Sequence, residues 1–245
     1  MTGMTGCCAP ADLHLASDEM GDGSSHAAGH RERLRRRLLD GGADALGDHE
    51  LIEYLLMLTI PRVDTKPLAW ELLKQFGGIG PLLSADVETL KRAGVSEAAA
   101  GALKIAKASA EKLLQAPLRE GEILSNWEAL EKYLHAAMAH APIEQVRVLF
   151  LNSKNRLIAD QVMWDGSVDE SAVHVREIIK RAIALNATAL IIVHNHPSGD
   201  PTPSSQDIAL TRELIDAARA MKIAVHDHVI VGTSGRSSLR AMGLI

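Results

Sequence analysis

Two histidines and an aspartate lie close together in the sequence, in a pattern that suits metal binding. The segment "TALIIVHNHPSGDPTPSSQD" ends an apolar run in His194 and His196 and reaches Asp207 after a loop rich in Gly and Pro. Residues two apart in a β-strand point to the same face, so both imidazoles can reach one ion. A helix that begins near Ser205 would bring in Asp207 as a third ligand. Two nitrogens and one carboxylate oxygen leave a fourth tetrahedral position open to water, as in catalytic zinc sites.

Each of these residues also has a simpler interpretation. Ser204 precedes Asp207 by three positions, so "SSQD" also matches a capping box at the start of a helix. His194 alone could be a core histidine with satisfied hydrogen bonds. Capping explains neither histidine, so the three residues together favour a metal site. Two histidines and a carboxylate also fit a non-haem iron oxygenase, whereas an HNH nuclease does not fit, because its named residues are not contiguous.

The elements around this motif predict a mixed α/β domain at residues 142–245. Strand-like runs "VRVLFLN" and "RLIADQVMW" are joined by "SKN", which predicts a hairpin. The run "TALIIVHNH" is apolar on both faces, which predicts a central strand. Helical patterns follow the hairpin and the histidine loop, and "IAVHDHVIV" predicts a last long strand.

The first half of the chain has a different character. Residues 1–29 lack periodicity and contain "DEMGDGSSHAAGH", which predicts a disordered leader. Residues 30–116 show helical periodicity with glycine stops, which predicts an all-helical domain. Residues 117–141 then predict a linker and one further helix.

Composition favours a cytoplasmic globular protein. The chain has 245 residues, is 47% hydrophobic and carries a net charge of -5. Its aromatic content of 3% argues against stacking platforms for single-stranded nucleic acid. The only cysteines, Cys7 and Cys8, are adjacent, so we expect no disulfide framework and a reducing compartment. No apolar run approaches the roughly 20 residues of a membrane span, and we expect no secretory signal.

The full motif resembles that of a known family. The pattern His194-x-His196-Pro197, six residues, Ser204, two residues, Asp207 resembles the JAMM signature of the MPN (JAB) metalloproteases. The surrounding "HNHPSGDPTPSSQDIALT" is closer still to the bacterial RadC branch of that family, and the resemblance covers nearly all of residues 31–245. It implies an MPN fold and a zinc ion held by the two histidines and Asp207.

The resemblance also implies a catalytic glutamate. In the RadC-like pattern this residue begins the first strand, which corresponds to Glu144 in "IEQVRVLFL". A carboxylate beside an activated water can act as a general base, although Glu144 could also simply start an exposed strand. Glu170 and Glu177 are alternatives, and an ordinary helical ion pair with Lys180 would account for Glu177. By the same resemblance, Ser204 would stabilise the oxyanion of a tetrahedral intermediate, with helix capping as its alternative role.

A second histidine pair occurs in "VHDHVI". His226 and His228 are two apart in a predicted strand, so they would share a face. No loop and helix with a matching carboxylate follow them. We therefore interpret them as structural residues or as partners of the ligands.

The helical half resembles a helix-hairpin-helix module, which RadC-like proteins also contain. The usual Gly-hydrophobic-Gly hairpin reads Gly94-Val95-Ser96 here, and the missing second glycine weighs against phosphate binding. Residues 31–116 hold 13 Lys and Arg against 12 Asp and Glu, a net charge of only +1. Since phosphate neutralisation supplies most sequence-independent affinity, we expect weak DNA binding at best. The basic "RERLRRR" cluster at 31–37 could be a local contact or a solvated helix face.

These patterns lead to two functional hypotheses. The first is a zinc metallopeptidase-like hydrolase that acts on a protein or peptide substrate, with zinc at His194, His196 and Asp207. The second is a DNA-associated protein, related to repair or recombination, whose metal site is structural or serves another hydrolysis. The sequence names neither the substrate nor the oligomeric state.

Overall fold

The computed structural model describes residues 23–166 and 171–245. Most of the predicted leader, including both cysteines, lies outside these residues, and the first helix already begins at Gly23. No helix within the described ranges is long and apolar enough to cross a membrane.

The N-terminal region is helical, as predicted. Its elements are α1 Gly23–Gly41, a 3-10 turn Ala43–Ala45, α2 Asp48–Met57, α3 Lys66–Phe76, α4 Ile79–Ser84, α5 Val87–Arg92 and α6 Glu97–Glu120. Helices α2 to α6 enclose an apolar core that includes Ile52, Leu56, Leu72, Leu90 and Leu103. Leu34 of α1 packs in a separate small cluster with Leu46 and Met57.

Helix α4 is not predicted by the sequence, because the glycines of "GGIGP" at 77–81 indicate the end of a helix. The left-handed Gly77 does end α3, at φ = 81°. The chain then re-enters a helix at once, and Pro81 falls in the first turn, where its missing N–H has no helical partner to lose. Leu82 from this short helix is fully buried, so packing stabilises it.

The α5–α6 connection corresponds to the predicted hairpin. Gly94 adopts φ = 84°, a conformation that favours glycine. Ser96 adopts φ = -65°, and its hydroxyl accepts a hydrogen bond from the Ala99 backbone N–H at the start of α6. The serine position therefore requires no glycine, which removes the backbone restriction inferred from the sequence. The helix-hairpin-helix character of this connection stays a prediction.

Helix α6 extends beyond the predicted domain boundary at residue 116. Proline at position 117 disfavours a helical conformation in the residue before it, which is why the sequence suggested an end there. The helix nevertheless continues to Glu120, and Leu118 is buried against the following α/β domain. The predicted linker at 117–141 thus contains the last turn of α6 and a helix, α7 Trp127–Met138, that belongs to the core of that domain.

The C-terminal region is a five-stranded mixed sheet with helices on both faces. The strands are β1 Gln145–Leu151, β2 Leu157–Asp165, β3 Ala189–Asn195, β4 Ala224–Gly232 and β5 Gly235–Ser238, in the order β2-β1-β3-β4-β5. The β1–β2 hairpin and the central, wholly buried β3 confirm the sequence predictions. Among the strands of the described ranges, β3 and β4 are the only parallel pair. The short polar strand β5 is an addition to the predicted fold, in which "IAVHDHVIV" is the last strand.

The two faces of the sheet carry separate cores. Helix α7 covers one face, where it packs on Leu149, Ile191 and Val229. The helices α8 Ser171–Ala184 and α9 Ser205–Ala220 cover the other face. The polar residues of interest lie on this second face, at the end of β3 where α9 begins.

Candidate metal centre

The two predicted histidines lie at the carboxyl end of the central strand. His194 is in β3, and its side chain is only 2% exposed. His196 follows the strand, and its side chain is 19% exposed. The backbone N–H of His196 donates to the Val231 carbonyl at 2.9 Å, which continues the pairing with β4 beyond the end of β3. Strand alternation thus directs both imidazoles to the face covered by α8 and α9.

Asp207 both caps a helix and faces the histidines. The backbone N–H and hydroxyl of Ser204 each donate to Asp207 Oδ2 at 2.7 Å, and the Asp207 N–H donates back to Ser204 Oγ at 3.1 Å. The other oxygen, Oδ1, lies 3.3 Å from His194 Nε2. The capping and ligand interpretations are therefore compatible, because each uses a different carboxylate oxygen.

The three side chains fit one small cation. His194 Nε2 lies 2.9 Å from His196 Nε2, and the latter lies 3.7 Å from Asp207 Oδ2. One donor atom from each residue falls within 4.8 Å of the others. Two nitrogens that bind a tetrahedral zinc ion at about 2.0–2.1 Å lie about 3.3 Å apart. The observed separations are close to this value, so the group could hold a metal ion. The roles of the three residues as ligands stay a prediction.

A backbone carbonyl orients His196. Its Nδ1 lies 2.8 Å from the carbonyl oxygen of Asp200, which can only accept a hydrogen bond, so Nδ1 carries the proton. The loop around Asp200 is held by the β4–β5 turn, since the Gly199 carbonyl accepts from both the N–H and the hydroxyl of Ser234. A side chain on Gly232 would collide with that carbonyl, so the close approach requires glycine.

His194 has a buried partner of its own. Its Nδ1 lies 2.7 Å from His228 Nε2, and His228 Nδ1 lies 2.5 Å from the hydroxyl of Thr211. Burial lowers the pKa of His194 to about 4, so this imidazole is neutral near pH 7, as a metal ligand must be. Burial also holds the pKa of His228 well below its usual value.

The predicted common face of His226 and His228 is wrong. The β3–β4 pairing shifts register between Leu190 and Ile191, which leaves one extra residue in β4 at position 226. Such a bulge interrupts the alternation of side chains. His226 consequently bonds to Asn155 Oδ1 at 2.8 Å, in the β1–β2 turn, while His228 contacts His194.

The register of β1 and β3 places Glu144 opposite His196 on the adjacent chain segment. The antiparallel register pairs Val146 with His194, so the position two residues before Val146 faces the position two residues after His194. The segment before β1 therefore brings Glu144 to the same end of the sheet as the two histidines. Burial raises the pKa of the Glu144 carboxyl, nearby His196 lowers it, and the charge of Asp207 raises it. The charges of His196 and Asp207 thus act on the Glu144 carboxyl.

The structure describes one of the two alternative glutamates. Glu177 lies on α8 and accepts from Lys180 Nζ at 3.3 Å, as the helical ion-pair interpretation expected. Glu170 lies outside the described residues. Of the two candidates within the described residues, Glu144 is the one whose carboxyl interacts electrostatically with His196 and Asp207.

Sequence reasoning missed one residue that supports this arrangement. Asn195, between the histidines, is completely buried. Its Oδ1 accepts from the Gln145 backbone N–H at 2.9 Å, and its Nδ2 donates to the Ile143 carbonyl at 3.2 Å. The segment that carries Glu144 is therefore held from β3. An amide side chain within an otherwise apolar central strand was the available signal, because buried polar groups need partners.

Comparison with known families agrees with the geometry. The family model described as RadC-like JAB domain matches residues 124–244. This range covers α7, all five strands, α8 and α9, together with the two histidines, Asp207 and Glu144. Residues 124–244 therefore form a RadC-like JAB domain.

Proposed function

We propose that the protein is a zinc-dependent hydrolase that cleaves a peptide or isopeptide bond. The observation that carries this proposal is the group formed by His194, His196 and Asp207, whose charges act on the Glu144 carboxyl just before β1. Three protein donors and a separate base are the parts that metal-assisted hydrolysis needs. Membership of the JAB domain family supports the same reaction class.

The metal ion and Glu144 would have separate roles in the reaction. Bound at this site, zinc would lower the pKa of a coordinated water to about 7 and polarise the scissile carbonyl. Glu144 accepts the proton of the attacking water as a new C–O bond forms. As the C–N bond breaks, Glu144 returns this proton to the leaving amine nitrogen. The raised pKa of Glu144 suits both steps, because a base with a pKa nearer to neutral also releases its proton readily.

Ser204 is the proposed oxyanion donor. Its hydroxyl lies 2.7 Å from Asp207 Oδ2, which places it at the edge of the site. The hydroxyl proton is donated to this carboxylate oxygen, so the hydroxyl must turn from Asp207 to stabilise an oxyanion. The Ser204 backbone N–H also donates to Asp207 and keeps the cap in place while the hydroxyl turns.

Three variants test the proposal. Glu144→Gln retains the shape of the side chain but cannot accept a proton, so it should keep its zinc and lose turnover by about 10² to 10⁴-fold. Asp207→Asn weakens a ligand, so zinc content should fall together with turnover. Glu177→Gln changes a surface ion pair and should match the wild type in both measurements.

Metal content, thermal melting and turnover should be measured on one panel of peptides and isopeptide-linked conjugates. Near wild-type turnover in Glu144→Gln would exclude Glu144 as the base. Loss of zinc in that variant would make Glu144 a ligand and remove the open position. A zinc-loaded wild type that cleaves no member of the panel would overturn the proposal and favour the DNA-associated alternative.

A further inference from the structure

A chain of hydrogen bonds connects two of the proposed ligands through the interior. It runs from the backbone carbonyl of Asp207 to the hydroxyl of Thr211, then to His228 and finally to His194. Thr211 and His228 are at most 1% exposed, so solvent does not compete for their hydrogen bonds. The chain begins on the backbone of one ligand residue and ends on the ring of another.

The direction of each bond follows from counting protons. The Asp207 carbonyl can only accept, so Thr211 donates its single hydroxyl proton to it. Donation to the carbonyl four residues earlier is a common arrangement for threonine in a helix. The Thr211 oxygen is then left as an acceptor, so His228 Nδ1 must carry a proton and donate it. A neutral imidazole has one proton, which leaves His228 Nε2 as an acceptor.

The last hydrogen bond then determines which ring nitrogen of His194 carries the proton. Because His228 Nε2 can only accept, His194 Nδ1 must be the donor across their 2.7 Å contact. His194 Nε2 consequently has no proton, and its lone pair points toward His196 and Asp207. Without this restraint a neutral histidine could place its proton on either nitrogen.

We propose that Thr211 and His228 are positioning residues that fix His194 in the Nδ1–H tautomer and so prepare its Nε2 for the metal. The inference rests on the metal site of the proposed function but does not require hydrolysis. His196 reaches the same tautomer by a different route, through the Asp200 carbonyl. The two imidazoles thus present the same nitrogen to the site, one held by the surface loop and the other by the core of the domain.

The tautomer can be observed directly in the full chain. Long-range nitrogen–proton correlation spectra of the metal-free protein, labelled with ¹⁵N-histidine, distinguish the two neutral forms. We expect His194 and His228 both to carry their proton on Nδ1, with His228→Gln used to assign the resonances. A metal-free protein in which His194 carries its proton on Nε2 would overturn the proposal.

Zinc affinity provides a second test with matched variants. His228→Leu removes the acceptor for His194, whereas His228→Gln places an amide oxygen near the former Nε2. Thr211→Val removes the hydroxyl, whereas Thr211→Ser keeps it. Loss of a group that orients a metal ligand typically weakens binding about 10 to 100-fold. We expect that loss for the Leu and Val variants and recovery of most of the affinity in the Gln and Ser variants.

Affinity should be measured by competition with a chelator, alongside circular dichroism to verify folding. If His228→Leu does not fold, the Thr211 pair and the spectra still decide the question. Equal zinc affinity in Thr211→Val, Thr211→Ser and wild type would contradict the proposal. These measurements need no substrate, so a result that contradicts the tautomer proposal does not bear on the proposed hydrolysis. A protein that shows the expected tautomer and binds zinc, yet cleaves nothing, would instead refute the proposed function alone.

Discussion

The side-chain oxygen of Asn195 accepts a hydrogen bond from the backbone N–H of Gln145 at 2.9 Å. This bond joins the residue between the two histidines to the residue that follows Glu144. The Asn195 amide nitrogen adds bonds to the carbonyls of Ile143 and Ala141 at 3.2 and 3.4 Å. One buried amide thus fixes the distance between the proposed base and the proposed ligands.

Asn195→Ala should reduce turnover while zinc content stays near one per chain. The change releases the 141–145 segment without touching a proposed ligand. It also leaves buried backbone groups without partners, at a cost of about 1–3 kcal/mol in the free energy of unfolding. Chemical denaturation, metal analysis and turnover should be compared with Asn152→Ala, which removes similar bonds at the opposite end of β1. A wild-type rate in Asn195→Ala would mean that Glu144 needs no such support.

His196→Ala should abolish stoichiometric zinc binding. The variant removes one of three donors and leaves the buried His194 in place, so the fold should persist. His226→Ala is the matched control, because it lies on the neighbouring strand but bonds to Asn155 instead of the site. Metal analysis after dialysis should give one zinc ion per chain for the wild type and the control. Equal zinc content in His196→Ala and wild type would refute the assigned site.

The pH dependence of the rate should report the environment of Glu144. A general base must be unprotonated, so kcat/KM rises as pH increases through its pKa. Burial raises that pKa, so the acidic limb should lie at higher pH than that of an ordinary glutamate, near 4.3. The profile should be recorded with zinc saturating at each pH, because protons compete for the histidines. Glu177→Gln should reproduce the wild-type profile, and a limb at or below the ordinary glutamate range would contradict the assignment.

Weak, non-specific DNA binding is the most that we expect from the helical region. Part of the 31–37 basic cluster is engaged internally: Arg31 donates to the Ile60 and Val63 carbonyls at 2.8 and 2.9 Å, and Arg37 pairs with Glu50. These two of the five arginines of the cluster are therefore less available to phosphates. Titration of a duplex at physiological salt should give a dissociation constant no tighter than roughly 10⁻⁷ M, since non-specific binders lie at about 10⁻⁴ to 10⁻⁶ M.

A second variant refines that experiment. Ser96→Gly restores the usual hairpin sequence but should not improve affinity, because Ser96 already adopts φ = -65°, which any residue can take. A clear gain in affinity would favour the DNA-associated alternative and the helix-hairpin-helix interpretation.

Much of the site's framework could be predicted because its signals are local. The apolar run before His194 predicted the central strand, and the Ser204 cap predicted the start of α9. Together they were enough to bring the two histidines and Asp207 to one edge of the sheet. Glu144 needed the family resemblance, because the register that brings it opposite His196 comes from the pairing of two strands distant in sequence.

The parts that were missed depend on long-range packing. The bulge at His226 is a mismatch between β3 and β4, and the periodicity of β4 alone cannot reveal it. The contact between Thr211 and His228 joins a helix to a strand across 17 positions in the chain. Strand β5, with the sequence "GRSS", lacks an apolar pattern and exists because β4 offers it an edge.

Helix α6 is shared by the two halves of the molecule, because it contributes residues to both cores. Its first turns supply Ala99 and Leu103 to the helical core, and its last supplies Leu118 to the α/β core. Gln115 also donates to Asp160 of β2 at 3.2 Å. At 24 residues the helix is about 36 Å long, and the two cores cannot swivel about it without losing packing. Because α6 packs into both cores, movement of the helical half relative to the α/β domain would disrupt buried contacts in at least one of them.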